Sequence, residues 1–73
     1  MVSYTWHGER LKARRKMLGL TTEELAKKTG TQHSHITAWE KDRSKPSGSY
    51  LVALCEVMRI EPKTLYECQD EKM

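Results

Sequence analysis

The chain has 73 residues, with 13 Lys and Arg against 10 Asp and Glu, a net charge of +3 and no Phe. This length is enough for one domain, and 37% hydrophobic residues with few Gly and Pro are typical of a small helical domain. An apolar run of about 18 residues is missing, so no membrane span is expected. The start, MVSYTWHGER, lacks the pattern of a secretion signal.

Charge is distributed unevenly along the chain. Through Lys45 there are ten bases and five acids, whereas from Pro46 onward there are three bases and five acids. A basic front part and an acidic back part indicate that one face of the domain is turned toward a polyanion. For Lys12 and Lys16 individually, a merely solvated helix face is the alternative interpretation.

The sequence predicts no metal site, no cofactor and no small-molecule ligand. Cys55 and Cys68 do not make a disulfide framework in a chain without a secretion signal. Cys55 continues the apolar stripe of Leu51, Leu54 and Met58 and is expected in the core, whereas Cys68 is expected to be a free thiol. The histidines lack metal-ligand spacing with either cysteine. Without paired carboxylates, a nucleophile–base set or a phosphate-binding glycine loop, no enzyme is expected.

The N-terminal part of the chain contains a short segment and then a helix. Residues 1–7 carry Tyr4 and Trp6, and they could either pack as a hydrophobic lead-in or lie loose as an arm. The first helix is predicted over Gly8–Leu18 and ends at Gly19.

An arginine interrupts the apolar face of this first helix. Arg15 lies one turn after Leu11, where the stripe calls for an apolar residue. A buried arginine requires a carboxylate partner, because an unpaired buried charge is very costly. Glu40 has the matching position one turn after Ile36, so we predict an Arg15–Glu40 ion pair. The alternative is that Arg15 extends into solvent without a partner.

The central stretch, TTEELAKKTGTQHSHITAWE, reads as helix, tight turn, helix. Thr21 and Glu24 have the spacing of a capping box at the start of a helix predicted over Thr22–Lys28. Gly30 is placed where that helix would need a left-handed residue to end. A third helix is predicted over Gln32–Glu40. Two amphipathic helices in an ordinary bundle are the alternative interpretation of this pattern.

The remainder of the chain predicts two more helices. The loop KDRSKP over residues 41–46 is basic. Ser47 is expected to cap a fourth helix over Gly48–Met58, and Pro62 to start a short fifth helix. Residues 68–73 are expected to be a polar, frayed tail.

Taken together, these segments resemble the lambda-repressor-like helix-turn-helix family of phage repressors and Cro proteins. The similarity extends over about Gly8–Tyr66 and is carried by GERLKARRKMLGL, TTEELAKKTG, HITAWEK, the KP loop, LVALCEVM and IEPKTLY. It implies an all-α, compact five-helix DNA-binding domain over residues 8–67, with the helix-turn-helix at helices 2 and 3. It also implies a transcription regulator that binds a near-palindromic operator as a homodimer, in the cytoplasm of a bacterial or phage-infected cell.

The resemblance also implies roles for individual residues. Base-reading positions on the third helix would be Gln32, His33, Ser34, Thr37 and Ala38. Phosphate-binding positions would be Arg10, Thr22, Lys41, Arg43 and Lys45. Apart from the resemblance, candidate dimer residues are Ile60, Pro62, Leu65 and Tyr66, because a helical domain this small gains stability by pairing. Ile60, Leu65 and Tyr66 could be core or dimer surface, and a shared role is favoured. The Arg15–Glu40 pair also matches a buried ion pair of the family.

The sequence departs from the family pattern at several reading positions. Thr22 stands where Gln is frequent, Thr31 where a hydrophobic residue is usual, Gln32 where Ser or Thr is usual, and Ala38 where a long polar side chain is frequent. Base preferences are therefore not readable by analogy.

Two questions stay open at the level of the sequence. The alternative function is an antitoxin-like module that binds a protein partner through the same fold, although the short polar tail lacks the extra apolar segment expected of one. Whether a further dimerisation domain belongs to the protein is also open, with the ending QDEKM favouring a natural terminus.

Overall fold

The computed structural model describes residues 2–70 and has five helices between two terminal strands. Their bounds in chain order are β1 Val2–Trp6, α1 Gly8–Met17, α2 Thr22–Thr29, α3 His33–Glu40, α4 Ser49–Met58, α5 Pro62–Leu65 and β2 Tyr66–Asp70. Within this described part, none of the helices has the length and apolar character that crossing a membrane requires.

All five predicted helices are present, and their ends differ from the predicted ends by a residue or two. The prediction that Ser47 caps α4 is wrong. Gly48 is the residue before this helix, with a φ of 52°, and no side chain caps it. The left-handed glycine turns the chain and moves Ser47 one position outside the cap, where only its backbone carbonyl accepts from the amide of Tyr50.

The two terminal strands were not predicted. β1 packs as the hydrophobic lead-in, one of the two alternatives that the sequence left open, and β2 corrects the expectation of a frayed tail. β1 and β2 pair antiparallel, with Tyr4 opposite Cys68 and Trp6 opposite Tyr66. The Trp6 and Tyr66 rings meet edge to face, 5.3 Å apart. This contact joins the two ends of the domain, which a purely all-α description omits. The last part of the expected tail, residues 71–73, lies outside the described residues.

The core is a single cluster that receives side chains from β1 and all five helices. Its members are Trp6, Leu11, Leu25, Ala26, Ile36, Trp39, Leu54, Cys55, Met58 and Leu65. Cys55 and Trp39 are therefore core residues, as the sequence predicts. Burial raises the pKa of the Cys55 thiol, which keeps it protonated at neutral pH.

Two hydrogen bonds and one close backbone approach attach the end of β1 and the start of α1 to the end of α3 and the loop after it. Trp6 donates from its indole nitrogen to the carbonyl oxygen of Trp39 over 2.8 Å. The backbone amide of Gly8 donates to a carboxylate oxygen of Asp42 over 2.8 Å. A side chain at Gly8 could not fit, because its Cβ would lie 2.3 Å from the Trp39 carbonyl oxygen. The two helix ends are consequently held in backbone contact.

The predicted Arg15–Glu40 ion pair is present at this junction. Arg15 Nε lies 2.6 Å from Glu40 Oε2, and Arg15 Nη2 donates to Glu40 Oε1 over 3.2 Å. The remaining Nη1 donates to the Leu20 carbonyl oxygen over 2.8 Å. The two side chains are only 10% and 6% exposed. The geometry is the two-pronged one that Arg and a carboxylate favour, and it links α1, α3 and the loop before α2.

We expect Glu40→Ala to lower the free energy of unfolding by about 3–5 kcal/mol, because it leaves the Arg15 charge buried without a partner. Urea denaturation followed by circular dichroism measures this loss. Glu61→Ala is the matched control, since the Glu61–Lys63 pair is 72% and 77% exposed and should contribute less than about 1 kcal/mol. Equal losses for the two variants would contradict a buried role for Glu40.

Candidate nucleic-acid interface

The helix-turn-helix begins with a complete capping box at α2. Thr21 Oγ1 accepts from the Glu24 amide over 3.0 Å, and the Thr21 amide donates to Glu24 Oε1 over 2.9 Å. The hydrogen bonds from the backbone amide and then the hydroxyl of Thr21 lower the pKa of the Glu24 carboxyl. The box fixes where α2 starts and keeps Thr22 at its first helical position.

A tight turn then redirects the chain from α2 to α3. Gly30 is left-handed with a φ of 75°, as predicted. The next amide, of Thr31, donates back to the Ala26 carbonyl oxygen over 2.9 Å. Buried Leu25 of α2 and Ile36 of α3 belong to the same core cluster and set how the two helices pack. The turn therefore presents α3 on a rigid support.

α3 exposes a short polar face. Gln32, His33 and Ser34 are exposed, whereas Thr37 and Ala38 are half-buried. Helical spacing places Ser34 and Ala38 on the side turned away from the buried Ile36. Thr37 donates from its hydroxyl to the His33 carbonyl oxygen over 3.1 Å, so this hydroxyl is engaged by the backbone of α3. Short side chains let the helix backbone approach a surface closely.

The loop after α3 carries three exposed bases, Lys41, Arg43 and Lys45. None of them forms an ion pair with another residue in the range 3–68. The loop itself is held in place, since Asp42 adopts a positive φ of 60° and binds the Gly8 amide. The carboxylate of Asp42, the acidic residue of this loop, is thus bound to α1, and the positive charges of the three bases face solvent.

Arg10 is not part of this basic group. Its guanidinium donates to Glu67 Oε1 over 3.2 Å and to the Tyr66 carbonyl oxygen over 3.3 Å. Both partners belong to β2, a strand that the sequence analysis did not predict. The structure therefore brings Arg10 to the strand pair and not to the other phosphate-binding candidates.

The four candidate dimer residues separate into core and surface. Leu65 is fully buried within the chain, so it takes the core role that the sequence left open and offers no exposed surface to a second copy. Ile60 and Tyr66 are half-buried, and Pro62 is exposed. A surface groove of about 490 Å³ lies at this place, lined by Tyr4, Glu61, Pro62, Lys63 and Tyr66.

Sequence reasoning missed two residues that contribute to the geometry of the site. Asp42 has no signature in the sequence, because its partner is a backbone amide 34 positions away. Tyr50 of α4 lies against the Trp39 ring, with centroids 5.8 Å apart. No three His, Cys, Asp or Glu side chains of the described chain are placed together as metal ligands.

Comparison with known proteins agrees with this geometry. A family model described as helix-turn-helix matches residues 11–65, three quarters of the chain. The chain belongs to the helix-turn-helix family. Outside the matched range lie β1, the first residues of α1 and β2.

Two named regulators are similar to this chain over most of its length. Repressor protein C2 of Salmonella phage P22 is 36% identical over 58 residues, and the transcriptional regulator DicA of Escherichia coli is 35% identical over 65 residues. These alignments cover 80% and 89% of this chain, but only 27% and 48% of the relatives. The chain thus spans about a quarter to a half of their length.

A solved structure is similar in the same way. The crystal structure of the P22 c2 repressor in complex with a synthetic operator has a TM-score of 0.79 and 34% identity to this chain, covering 84% of this chain and 92% of that one. The five-helix arrangement is therefore that of a DNA-binding phage repressor domain.

We expect Glu24→Ala to destabilise the helix-turn-helix domain in a pH-dependent way. Because the folded-state pKa of Glu24 is lowered, its carboxylate stabilises the fold above the unfolded-state pKa and loses this effect as the pH falls through the folded-state pKa. The gap in Tm between wild type and variant should stay constant near neutral pH and narrow on acidification to about pH 3. Thermal melts across this range measure it; a gap that is independent of pH would contradict the carboxylate cap.

Proposed function

We propose that this chain is a sequence-specific DNA-binding transcription regulator, which represses by occupying promoter DNA. The observation that carries the proposal is the short, exposed polar face of α3, held beside a loop of three exposed bases. This arrangement suits a helix in the major groove with basic side chains at the adjoining phosphates. Likeness to the P22 c2 repressor, whose crystal structure contains a synthetic operator, supports it.

The residues on the proposed reading face are Gln32, His33, Ser34, Thr37 and Ala38. In this proposal Ser34 and Ala38 point most directly into the groove, because they lie opposite Ile36 on the helix. Gln32 and His33, at the start of α3, can hydrogen-bond to base edges, and the Thr37 methyl can contact a thymine methyl. A small Ala38 contributes no hydrogen bond and lets α3 approach the bases.

The proposed phosphate contacts are Thr22, Lys41, Arg43 and Lys45. Thr22 is the first residue of α2, where free backbone amides and the helix dipole favour an anion. The three bases follow directly on α3 and have no acidic partner in the described chain. We leave Arg10 out of the set, since Glu67 already neutralises its guanidinium.

We also propose that the chain binds DNA as a homodimer through the end of the domain around Ile60, Pro62 and Tyr66. Pro62 and Tyr66 line the groove described above, whose acidic Glu61 and basic Lys63 could pair across a two-fold axis. A location in the cytoplasm of a bacterial or phage-infected cell belongs to the same proposal, and no catalytic role is part of it.

Selection from a random DNA pool at near-physiological salt tests DNA recognition and dimerisation together. We expect enrichment of an inverted repeat with half-sites about ten base pairs apart, because two α3 helices related by a two-fold axis meet successive turns of one DNA face. A single unpaired half-site would argue against the dimer. Recovery of no motif, with binding that disappears as salt rises, would reject sequence-specific regulation.

Two single substitutions distinguish reading from phosphate binding on the selected duplex. Ser34→Ala should weaken binding to the selected duplex about fivefold or more while leaving a scrambled duplex unaffected. Arg43→Ala should weaken both duplexes by the same factor and reduce the slope of log K against log salt by about 0.9. Filter binding at four salt concentrations measures both effects. Equal losses on the two duplexes for Ser34→Ala would contradict its place on the reading face.

A further inference from the structure

Three aromatic rings form a continuous column along one flank of α3. His35 stacks on Trp39, with ring centroids 6.1 Å apart and planes inclined by 27°. Trp39 in turn contacts Tyr50 of α4, with centroids 5.8 Å apart. Trp39 is buried, whereas His35 and Tyr50 are exposed. The buried Trp39 ring thus lies between two exposed rings, and His35 is the exposed end of the column on α3.

The His35 ring is also fixed by a hydrogen bond. Thr31 Oγ1 lies 2.6 Å from His35 Nδ1. When the hydroxyl donates to Nδ1, the ring proton is on Nε2, which makes no hydrogen bond to residues 3–68. An exposed side chain that is held on one face by stacking and on one edge by a hydrogen bond has already lost rotamer freedom. Binding through Nε2 would therefore cost little further entropy.

His35 lies on the opposite flank of α3 from His33. His33 borders a surface depression with Glu23 and Lys27 of α2, whereas His35 stacks on Trp39, the ring that contacts Tyr50 of α4. A loop over residues 41–48 connects α3 to α4. That loop carries Arg43 and the other exposed bases. If α3 enters the major groove, this flank faces the wall of the groove, which is the phosphate backbone.

We propose that His35 is a further DNA contact, donating from Nε2 to a backbone phosphate at the edge of the major groove, and that Thr31 is the positioning residue for its ring. This inference rests on the proposed function. It assigns a role to a histidine that the reading-face residues leave unused. It also gives a reason for Thr31, since a hydrophobic residue there could not orient the imidazole.

A double-mutant cycle on DNA binding tests the proposal. His35→Ala, Thr31→Val and the double variant are compared by fluorescence anisotropy with the selected duplex and a scrambled duplex. His35→Ala should weaken binding to both duplexes by one factor, roughly two- to tenfold, as expected for a lost hydrogen bond. Thr31→Val should give a smaller loss, and the double variant should equal His35→Ala, because Thr31 acts only through His35.

Matched variants make the outcomes decisive. Ser3→Ala, at an exposed serine on β1, should leave binding unchanged, and His35→Gln should recover part of the affinity by placing an amide N–H near the position of Nε2. Thermal melts establish that each variant is folded. No loss for His35→Ala, a loss on the selected duplex alone, or additive effects of Thr31→Val and His35→Ala would each overturn the assignment. If Ser34→Ala and Arg43→Ala also have no effect, the proposed function itself fails.

Discussion

The last turn of α3 is the point on which the rest of the structure depends. A buried Glu40 there binds Arg15 of α1 at 2.6 Å, and the neighbouring Trp39 carbonyl oxygen accepts the Trp6 indole at 2.8 Å. Two charges removed from water need close geometry and satisfied donors, and here the third guanidinium nitrogen is satisfied by the Leu20 carbonyl. The arrangement therefore specifies one relative position of α1 and α3, in a chain too short to fix it by apolar burial alone.

This anchoring explains how a small domain can present a rigid recognition surface. The other end of α3 is set by the Gly30 turn, and the loop that follows is held by Asp42 on the Gly8 amide. None of these contacts uses an outward side chain of α3. The helix and the basic loop therefore form one rigid unit, so that binding need not order them first and the entropy cost of association is reduced.

Much of this could be predicted from the sequence, because local rules determine it. The capping box at Thr21, the left-handed Gly30 and the core positions of Trp39 and Cys55 follow from spacing and residue type. Arg15 could be paired with Glu40 because an apolar stripe that contains a charge demands a partner. The strand pair could not be found in the same way, since its partners are the two ends of the chain; the alternation of Tyr4 and Trp6 with small polar residues was its only local signal. The shift of Ser47 out of the cap depended on one glycine dihedral.

The positions at which the sequence departs from the family pattern can vary because their side chains do not hold α3 in place. Thr22, Thr31, Gln32 and Ala38 all lie outside the contacts that hold α3, so substitutions at these positions change the surface without changing the support. The ion pair, by contrast, involves three separate segments and cannot vary one residue at a time, because either charge alone would be buried without compensation. A domain of this type can thus acquire new DNA preferences while its fold stays the same. The Thr31–His35 hydrogen bond adds a link of its own, since the polar residue in the turn holds the ring of a side chain on α3.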